Sequence, residues 1–561
     1  MRKEAQTAFS GGINLFHDDF RLGETEYGAA FNVRNRRGSL RTIFGPQEDP
    51  LNYTFIVEGV SYNGVITGKK QGCYGFGEYI LLFAAGYAYY KHFTANVWQL
   101  IPSFKMDSNV SYIYVQDVPE TRTSYNRVLQ SANVINGTSA DTRVNLVSNL
   151  LIAGVPSGLV VQDGINQPYF MYVDPSGVVL SRPTLTYDQW TMANREYVPI
   201  GLNMAVVDGI LFIVAPDRKS IYRSVSGRML DFVVNVTMSG DKGGNATTTS
   251  YACSALDITA IRKLKSGQLL VGTIDGCHPI TINYDRTIFG EPTFKNPNSF
   301  SAGIVNQFSF AELLNDYTFI DKDGIRSYNA ISAINDEGRN SLISAYIHKA
   351  IDGILQNNAC ACVFDNYAMF HVFSRYGYIV LIYDMLSEKW VSMDRFNLAP
   401  FKMFASVNNA LGPLLYAITE DRVYILFGSQ TALTASVTLK QCVAADAKIE
   451  YKLDKIRLIF DEITEDLVMA VKEVVDNRTN ATIPRTRYYV DDPPPYPLTY
   501  PIYYNISNSN RKEVFNFKKL SKQGTKVGVE VSWTGDSSLM HCQFELDEIT
   551  NEVPLKQQAS V

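Results

Sequence analysis

The sequence predicts an all-β protein with a β-propeller core, insertions, and a separate C-terminal β domain. A strand-turn-strand unit recurs about six or seven times at a spacing of roughly 50 residues, which is typical of propeller blades and other β arrays. The chain contains 34 Tyr and 30 Phe among its 561 residues, and these side chains suit half-buried pleated surfaces. It also contains 38 Gly and 22 Pro, which favour the many turns that such a fold requires.

Four of the units are variants of one pattern, in which an apolar strand is followed by a strand rich in Tyr or Trp. They cover residues 211–224, 269–283, 378–390 and 415–427. The single notable helix is predicted over 341–355, where apolar residues recur at i, i+3 and i+4. A propeller with a short helix packed at its edge accounts for both patterns.

The chain divides into three predicted regions. Residues 1–50 are irregular and polar, and they are interpreted as an extended N-terminal arm. Residues 51–429 form the predicted propeller, with a less regular insertion at about 102–148. Residues 430–561 form the predicted C-terminal β domain. A Pro-rich loop at about 485–505 interrupts it, because Pro is excluded from central strands and helix interiors. This loop is either a stiff spacer or a docking loop for another subunit.

The bulk composition excludes some classes of protein. The formal net charge is −5, so the chain lacks the basic field by which proteins grip nucleic acid. The seven Cys are scattered and odd in number, which favours assembly in a reducing compartment over a disulfide framework. We expect no signal peptide and no membrane span, since no apolar run approaches the ~18 residues needed.

The most basic stretch runs from Arg34 to Arg41. It is either a solvated edge or a surface that contacts DNA or an acidic partner. The segment Asp321-Lys-Asp323-Gly324 resembles the start of a calcium loop, but Ser332 stands where an EF-hand would place its Glu. A hairpin turn is therefore predicted there.

Cys360, Cys362 and His371 form the one candidate metal constellation. If Asp365-Asn366 is a two-residue hairpin turn, Cys360 lies opposite His371, and both thiols share a face with the imidazole. Such a set could bind zinc, but the sequence shows no fourth ligand. Small residues in a buried strand pair are the alternative.

The sequence predicts no catalysis and no cofactor. The six His do not form a metalloprotease pattern, and there is no nucleophile elbow, phosphate-binding loop or dinucleotide fingerprint. Carboxylate pairs such as Asp18-Asp19, Asp461-Glu462 and Asp491-Asp492 are present. A glycosidase pair is defined by its separation in space, which sequence alone does not give.

Short phrases in a fixed order cover most of the chain. The arm contains Phe9-Ser-Gly-Gly-Ile-Asn14, Ala30-Phe-Asn-Val-Arg34 and Gly38-Ser-Leu-Arg-Thr-Ile-Phe-Gly45. The later phrases are Asp163-Gly-Ile-Asn-Gln-Pro-Tyr169, Val198-Pro-Ile-Gly201, Ile221-Tyr-Arg-Ser224 with Asp231-Phe232, Phe319-Ile-Asp-Lys-Asp-Gly-Ile-Arg326, Ile382-Tyr-Asp384 with Lys389-Trp390, and Gln523-Gly-Thr-Lys-Val-Gly-Val-Glu530. Together they resemble the tail nozzle proteins of short-tailed bacteriophages, also called tubular tail or packaged-DNA stabilisation proteins.

The resemblance implies a structural virion protein that assembles in the host cytoplasm. In that family six copies form a ring below the head-tail adaptor, which retains packaged DNA and conducts it at ejection. Tail fibres or spikes attach nearby, and double-stranded DNA passes through the lumen without tight binding. The motif positions are Gly11, Gly12, Asn14, Asn32, Arg34, Gly38, Gly45, Asp163, Gly164, Asp323, Gly324, Tyr383, Asp384 and Trp390. The insertion at 102–148 and the Pro-rich loop match no family motif.

Two alternatives stay open. A receptor-binding or fibre-adaptor propeller would recognise host surface glycan through exposed aromatic side chains, and Trp98, Trp190 and Trp390 are the candidates. Each of these could equally be blade core. A polysaccharide-cleaving propeller would instead use acidic residues.

Overall fold

The structure of the protein is a computed structural model. It describes the whole chain except residues 1, 7, 120–156, 192–193, 226, 234–248, 253–255, 283–301, 314–315, 330–341, 352–358, 410–411, 445–448, 477, 488–512, 519–521 and 551–561. The predicted Pro-rich loop therefore lies mostly outside the described residues, as do residues 120–148 of the predicted insertion. The described residues are almost entirely β.

The N-terminal arm consists of short strands separated by turns. They are β1 (Arg2–Gln6), β2 (Gly12–Ile13), β3 (Glu26–Tyr27), β4 (Ala30–Phe31), β5 (Val33–Arg36), β6 (Ser39–Thr42) and β7 (Gln47–Glu48).

Seven blades follow in chain order and confirm the predicted propeller. Blade one contains β8 (Asn52–Val57), β9 (Val60–Val65), β10 (Lys70–Phe76), β11 (Tyr79–Ala84), β12 (Tyr87–His92) and β13 (Trp98–Leu100). Blade two contains β14 (Tyr114–Val118), β15 (Gly158–Gln162), β16 (Tyr169–Val173) and β17 (Val179–Pro183). Blade three contains β18 (Met204–Val207), β19 (Ile210–Val214), β20 (Ser220–Arg223) and β21 (Thr249–Ala252).

The remaining blades are built in the same way. Blade four contains β22 (Ile258–Lys263), β23 (Leu269–Thr273) and β24 (Cys277–Ile280). Blade five contains β25 (Phe310–Glu312), β26 (Tyr317–Asp321) and β27 (Gly324–Ser327). Blade six contains β28 (Cys360–Phe364), β29 (Tyr367–Ser374), β30 (Gly377–Asp384) and β31 (Lys389–Asp394). Blade seven contains β32 (Met403–Asn409), β33 (Gly412–Ile418) and β34 (Val423–Leu426). The strands of the seven blades pair antiparallel, except that β13 pairs with β8 in parallel in blade one.

The ring of blades is closed by the arm. Strand β7 pairs with β34 and so becomes the outermost strand of blade seven, although it precedes blade one in the chain. The innermost strand is β10 in blade one and the first strand of the blade in blades two to seven. Neighbouring inner strands such as β10 and β32 lie in contact. Closure by a distant strand ties the last blade to the first and covers the edge of β34.

Two further sheets at the C-terminus pack on each other. Their strands are β35 (Ala435–Thr438), β36 (Cys442–Val443), β37 (Ile449–Asp461), β38 (Leu467–Val475), β39 (Arg478–Arg487), β40 (Glu513–Lys518), β41 (Gln523–Gly524), β42 (Lys526–Thr534) and β43 (Ser538–Thr550). One sheet is β40-β37-β43-β6-β5, joined by β1 and β41, and the other is β39-β38-β42-β35-β4, joined by β36. Strands from the arm therefore complete both sheets.

Apolar side chains that alternate along β37, β38 and β42 fill the space between these sheets, as the period of two requires. The same continuous core reaches into blade six, where Phe370 and Leu381 are fully buried. The C-terminal sheets are thus a distinct sandwich that shares a core with the edge of the propeller.

Helical structure in the described residues is short. It comprises three 3-10 turns (Asp19–Arg21, Tyr187–Gln189 and Ile343–Ile347), the α-helix α1 (His348–Ile351), and the helical residues Tyr328 and Asn329 after β27. Residues 342–351, the described part of the helix predicted over 341–355, contain a 3-10 turn that runs into α1. Residues 102–119 of the predicted insertion contain β14, the innermost strand of blade two.

Candidate functional site

The arm meets the propeller and the sandwich at one place, which we call the junction. It consists of β31, the outermost strand of blade six, together with β2, β4 and β5, which all lie against β31. Because β4 and β5 also belong to the two sheets of the sandwich, the arm bridges the two larger parts of the protein. Four of the fourteen motif positions lie here: Gly12, Asn32, Arg34 and Trp390.

A buried ion pair joins the arm to β31. The Arg34 guanidinium donates two hydrogen bonds to Asp394, at 3.0 Å to Oδ1 and 2.6 Å to Oδ2. The Asp394 side chain is fully buried and that of Arg34 is 15% exposed. The guanidinium carbon also lies 5.3 Å from the ring centroids of Tyr367 and Phe427. Bidentate geometry of this kind fixes direction as well as distance.

Asn32 joins all three parts of the molecule. Its side-chain amide donates to the backbone oxygen of Thr434 at 2.8 Å, just before the sandwich strand β35. Its side-chain oxygen accepts from the backbone N–H of Arg395 at 2.7 Å, just after β31. The residue has a φ of 57°, a conformation that Asn tolerates better than most residues. Asn at this position therefore satisfies both a backbone and a hydrogen-bonding requirement.

Gly12 allows the arm to approach β31 closely. It has a φ of 77°, and a Cβ atom there would lie 2.6 Å from the backbone oxygen of Trp390. Trp390 donates from Nε1 to the backbone oxygen of Ile343 at 2.8 Å, and the Tyr383 ring packs edge-on against it at 5.0 Å. A side chain at Gly12 would push the arm away from the blade.

Asn14 and Gly11, close to Gly12 in the sequence, position the part of the arm that leads to the junction. The buried Asn14 side chain accepts from the backbone N–H groups of Phe16 and His17 and donates to Glu26 at 3.0 Å. A Cβ atom at Gly11 would lie 2.7 Å from Oγ1 of Thr25. These two positions hold β2 beside β3.

Gly38 and Gly45 lie further along the arm. Gly38 has a φ of 83° in the turn between β5 and β6, and its backbone oxygen accepts from Phe9 at 3.0 Å. Gly45 exchanges backbone hydrogen bonds with Thr431 and Ser429, both at 3.0 Å. Both residues therefore guide the arm along the sandwich side of the molecule toward β7.

The other motif positions occupy turns within single blades. Burial raises the pKa of Asp163, but hydrogen bonds from Asp107, Asn166 and Ile165 outweigh this effect and hold the pKa below its usual range. Gly164, with a φ of 83°, follows it. Asp384 accepts from Leu386 and Ser387 in the turn after β30.

The predicted hairpin at 321–324 is confirmed, since Asp321 pairs directly with Gly324 across β26 and β27. Arg326 forms ion pairs with both Asp321 and Asp323, the latter at 3.2 Å. These two carboxylates are therefore occupied by a guanidinium, which argues against the calcium interpretation.

Three of the four arginines in the basic stretch of the arm form ion pairs with carboxylates of the same chain. Arg34 pairs with Asp394, and Arg41 pairs with Asp536 at 3.1 Å. Arg36 and Arg41 both lie 3.5 Å from Glu462. These ion pairs connect the arm to the rest of the chain. Because the paired arginines are less available to phosphate groups, the geometry argues against the DNA-contact interpretation.

The predicted register of β28 and β29 is confirmed, because Cys360 pairs with His371 and Phe364 with Tyr367. His371 stacks on the Tyr378 ring at 5.5 Å and lies 5.1 Å from the ring of Phe401. Its Nε2 atom accepts from the backbone N–H of Phe401 at 3.4 Å. Within the described residues no group of three or more His, Cys, Asp or Glu is placed to hold a metal ion. The geometry supports the alternative, a buried strand pair.

The burial of His371 makes stability depend on pH. Burial lowers its pKa to about 3 from an ordinary value of 6.5. The contribution of the neutral ring is therefore complete above pH 6.5 and is lost as the pH falls toward 3. We expect this residue to lower the free energy of unfolding by about 2 kcal/mol between about pH 8 and pH 5.

Urea denaturation at several pH values checks this, with His371→Phe as the test variant. Phe keeps the ring packing but cannot titrate, so the variant should lose that part of the pH dependence even if its overall stability falls. His17→Ala, at an exposed position, should retain the wild-type slope. An unchanged slope in His371→Phe would contradict the assignment.

The candidate glycan-binding aromatics are core residues. The exposed fractions of Trp98, Trp190 and Trp390 are 0%, 2% and 3%. Trp98 packs in the core shared by blades one and seven, and Trp190 donates from Nε1 to Asp231 at 3.0 Å. A glycan platform cannot be built on these three side chains.

Comparison with known proteins yields no assignment: no protein-family model matches the chain, and no curated protein matches it. Among the described residues, no helix has the length and apolar character needed to cross a membrane. Sequence reasoning singled out Arg34 but missed its partner Asp394 and the supporting Ser392, which donates to Asp394 at 2.6 Å. Polar residues at the end of an outer blade strand carry no periodic signal that would identify them.

Proposed function

We propose that the protein is a structural virion component, a ring subunit of a short phage tail nozzle that retains packaged DNA and forms the conduit for its ejection. The observation that carries the proposal is the convergence of the resemblance motifs on the junction. Gly12, Asn32, Arg34 and Trp390 each meet a specific steric or hydrogen-bonding demand there. The resemblance therefore rests on residues that determine architecture, which is what a scaffold subunit requires.

The shape and charge of the protein suit this role. The core of the sandwich continues into blade six, so the propeller and the sandwich can present their surfaces together to neighbouring copies in a ring. The overall charge of −5 suits a conduit that must release DNA, because tight binding of DNA depends on the neutralisation of phosphates by basic residues.

Blade one offers a surface for contact between subunits. The β8–β9 hairpin lies outside β13, and among the described strands β9 pairs only with β8. Ile56, Val60, Tyr62 and Val65 on this hairpin are 47–71% exposed. An apolar strand edge of this kind is a ready template for association, and a ring requires one such patch to meet a different patch on the neighbouring copy.

The proposal is tested by quantitative mass spectrometry of virus particles purified from a culture that produces the protein. Copies should be scaled to the major capsid protein. We expect about six copies per particle, as one ring of the proposed family would contain, and release together with the head-tail adaptor after disruption of the head. Absence from particles, or a copy number comparable to that of the capsid protein, would overturn it.

A further inference from the structure

The innermost strands of the propeller surround two adjoining cavities. The first, about 150 Å³, is lined by residues from β10, β14, β18, β22, β28 and β32 and by the segment that leads into β25. The second, about 440 Å³, lies against blades two to five. Arg262, on β22, lines both. Its guanidinium therefore lies at the boundary between the two cavities.

Arg262 carries a charge that the described residues do not neutralise by an ion pair. One terminal nitrogen donates to the backbone oxygen of Gln307 at 3.0 Å, and the guanidinium carbon lies 5.5 Å from the Phe310 ring centroid. The Nε atom is buried and has no hydrogen-bond acceptor in the described part of the chain. Arg262 as a whole is half-buried. A charge that is partly withdrawn from water and a buried donor without an acceptor are both costly unless something compensates them.

The acidic side chains nearby are already engaged. Glu312, which lines the second cavity, lies 3.8 Å from Nζ of Lys265. Asp117, next to the cavity-lining Gln116, accepts a hydrogen bond from the Tyr74 hydroxyl. Lys263 is likewise paired, at 3.6 Å from Asp208. Of the three cations that line the second cavity, Arg262 is thus the one that forms no salt bridge with the residues that the structure describes.

Gln307 holds Arg262 in place. Its side-chain oxygen accepts from the backbone N–H of Ile261 at 2.9 Å, and its side-chain nitrogen donates to the backbone oxygen of Ile261 at 3.1 Å. These two bonds fix the strand beside Arg262, while the Gln307 backbone oxygen holds the guanidinium itself. A pre-organised guanidinium loses little entropy when it binds an anion.

We propose that Arg262 is the anchor of a small-ligand site in the propeller channel that binds an oxyanion group, such as a carboxylate, phosphate or sulfate. A guanidinium matches the planar or tetrahedral array of oxygens in these groups. The larger cavity has a volume within the range of small-molecule sites, and Phe310 and Tyr317 supply apolar wall beside the charge. This site is independent of the proposed tail function.

Isothermal titration calorimetry with inorganic phosphate, at constant ionic strength set by chloride, tests the site. We expect saturable binding to the wild-type protein. Binding to Arg262→Gln should be roughly ten- to a hundredfold weaker, because charged hydrogen bonds are lost. Lys322→Gln removes the same charge from an exposed, paired position and should bind phosphate as the wild type does.

Arg262→Lys provides a second test if the Gln variant does not fold. It keeps the positive charge but lacks the fork of donors, so it should also bind phosphate more weakly. Lack of saturable binding to the wild type would overturn the proposal, and so would equal affinity in the Arg262 variants.

Discussion

Replacement of Asp49 by Ala is expected to lower the free energy of unfolding of the propeller by about 3–5 kcal/mol, because it leaves a buried Lys without its counter-ion. Asp49 forms an ion pair with Lys91, and both side chains are only 3% exposed. The Lys91 ammonium also lies over the rings of Trp98 and Tyr416, at 4.8 and 5.6 Å. The whole cluster is closed to solvent, so water cannot compensate the unpaired charge.

The Asp49–Lys91 pair lies where the last blade meets the first, so it helps to keep the ring of blades closed. Asp49 directly follows β7, and its backbone N–H donates to Val423 in blade seven at 2.9 Å. Lys91 lies on β12 of blade one. The ion pair therefore holds the closing strand of the last blade against the first blade.

Chemical denaturation followed by tryptophan fluorescence measures the effect of Asp49→Ala, since Trp98 lies beside the pair. Arg422→Ala is the matched control. Arg422 pairs with Glu48 on the same closing strand, but the two side chains are 57% and 49% exposed. Exposed pairs of this kind contribute little, so the control should unfold at nearly the wild-type denaturant concentration. Equal shifts in the two variants would show that burial of the pair is not what matters.

The parts of the fold that sequence predicted well are those set by local pattern. The hairpin turn at Asp365-Asn366 fixes the register of β28 and β29, which places Cys360 opposite His371. Apolar strands separated by turn residues likewise identified blades such as those containing β19 and β30. Two-residue periodicity and turn-forming residues involve only a few neighbouring positions, so both can be recognised in the sequence without the tertiary structure.

No local sequence pattern predicted that β7 would close the ring of blades. Strand β7 consists of two residues, Gln47 and Glu48, both exposed. It becomes a strand only because the edge of β34 supplies hydrogen-bond partners. The helical pattern over 341–355 shows the opposite effect, since tertiary packing makes its first part, Ile343–Ile347, a 3-10 turn. In both cases distant contacts decide the local conformation.

The contacts of the N-terminal arm could not be predicted from local sequence patterns either. The sequence predicted an extended arm of 50 residues, and the motifs singled out Gly12, Asn32 and Arg34 within it. It could not show that β4 and β5 would join different sheets of the sandwich. Arg34 and Asp394 are 360 residues apart, and no periodicity links positions at that separation. The sequence thus identified the arm residues of the junction but did not predict that Asp394 would pair with Arg34.

Replacement of Asp394 by Ala is also expected to destabilise the protein strongly, by disrupting the junction. Loss of this carboxylate leaves the Arg34 guanidinium largely buried and unpaired, and we expect a cost of about 3–5 kcal/mol in the free energy of unfolding. The effect should fall on the docking of the arm, so limited proteolysis should cut the arm faster in the variant than in the wild type. Lys472→Ala, in a pair whose side chains are 37% and 30% exposed, should cost less than about 1 kcal/mol.

A double-mutant cycle separates the pair from its surroundings. Arg34→Met combined with Asp394→Leu removes both charges and replaces them with apolar side chains. The double variant should therefore be more stable than the sum of the two single losses predicts, because neither partner is left buried alone. If the losses were additive, the two residues would be stabilising the protein independently. The arm would then be held by its strand pairing and by Asn32, not by the bidentate pair, and the ion pair would be incidental to the junction.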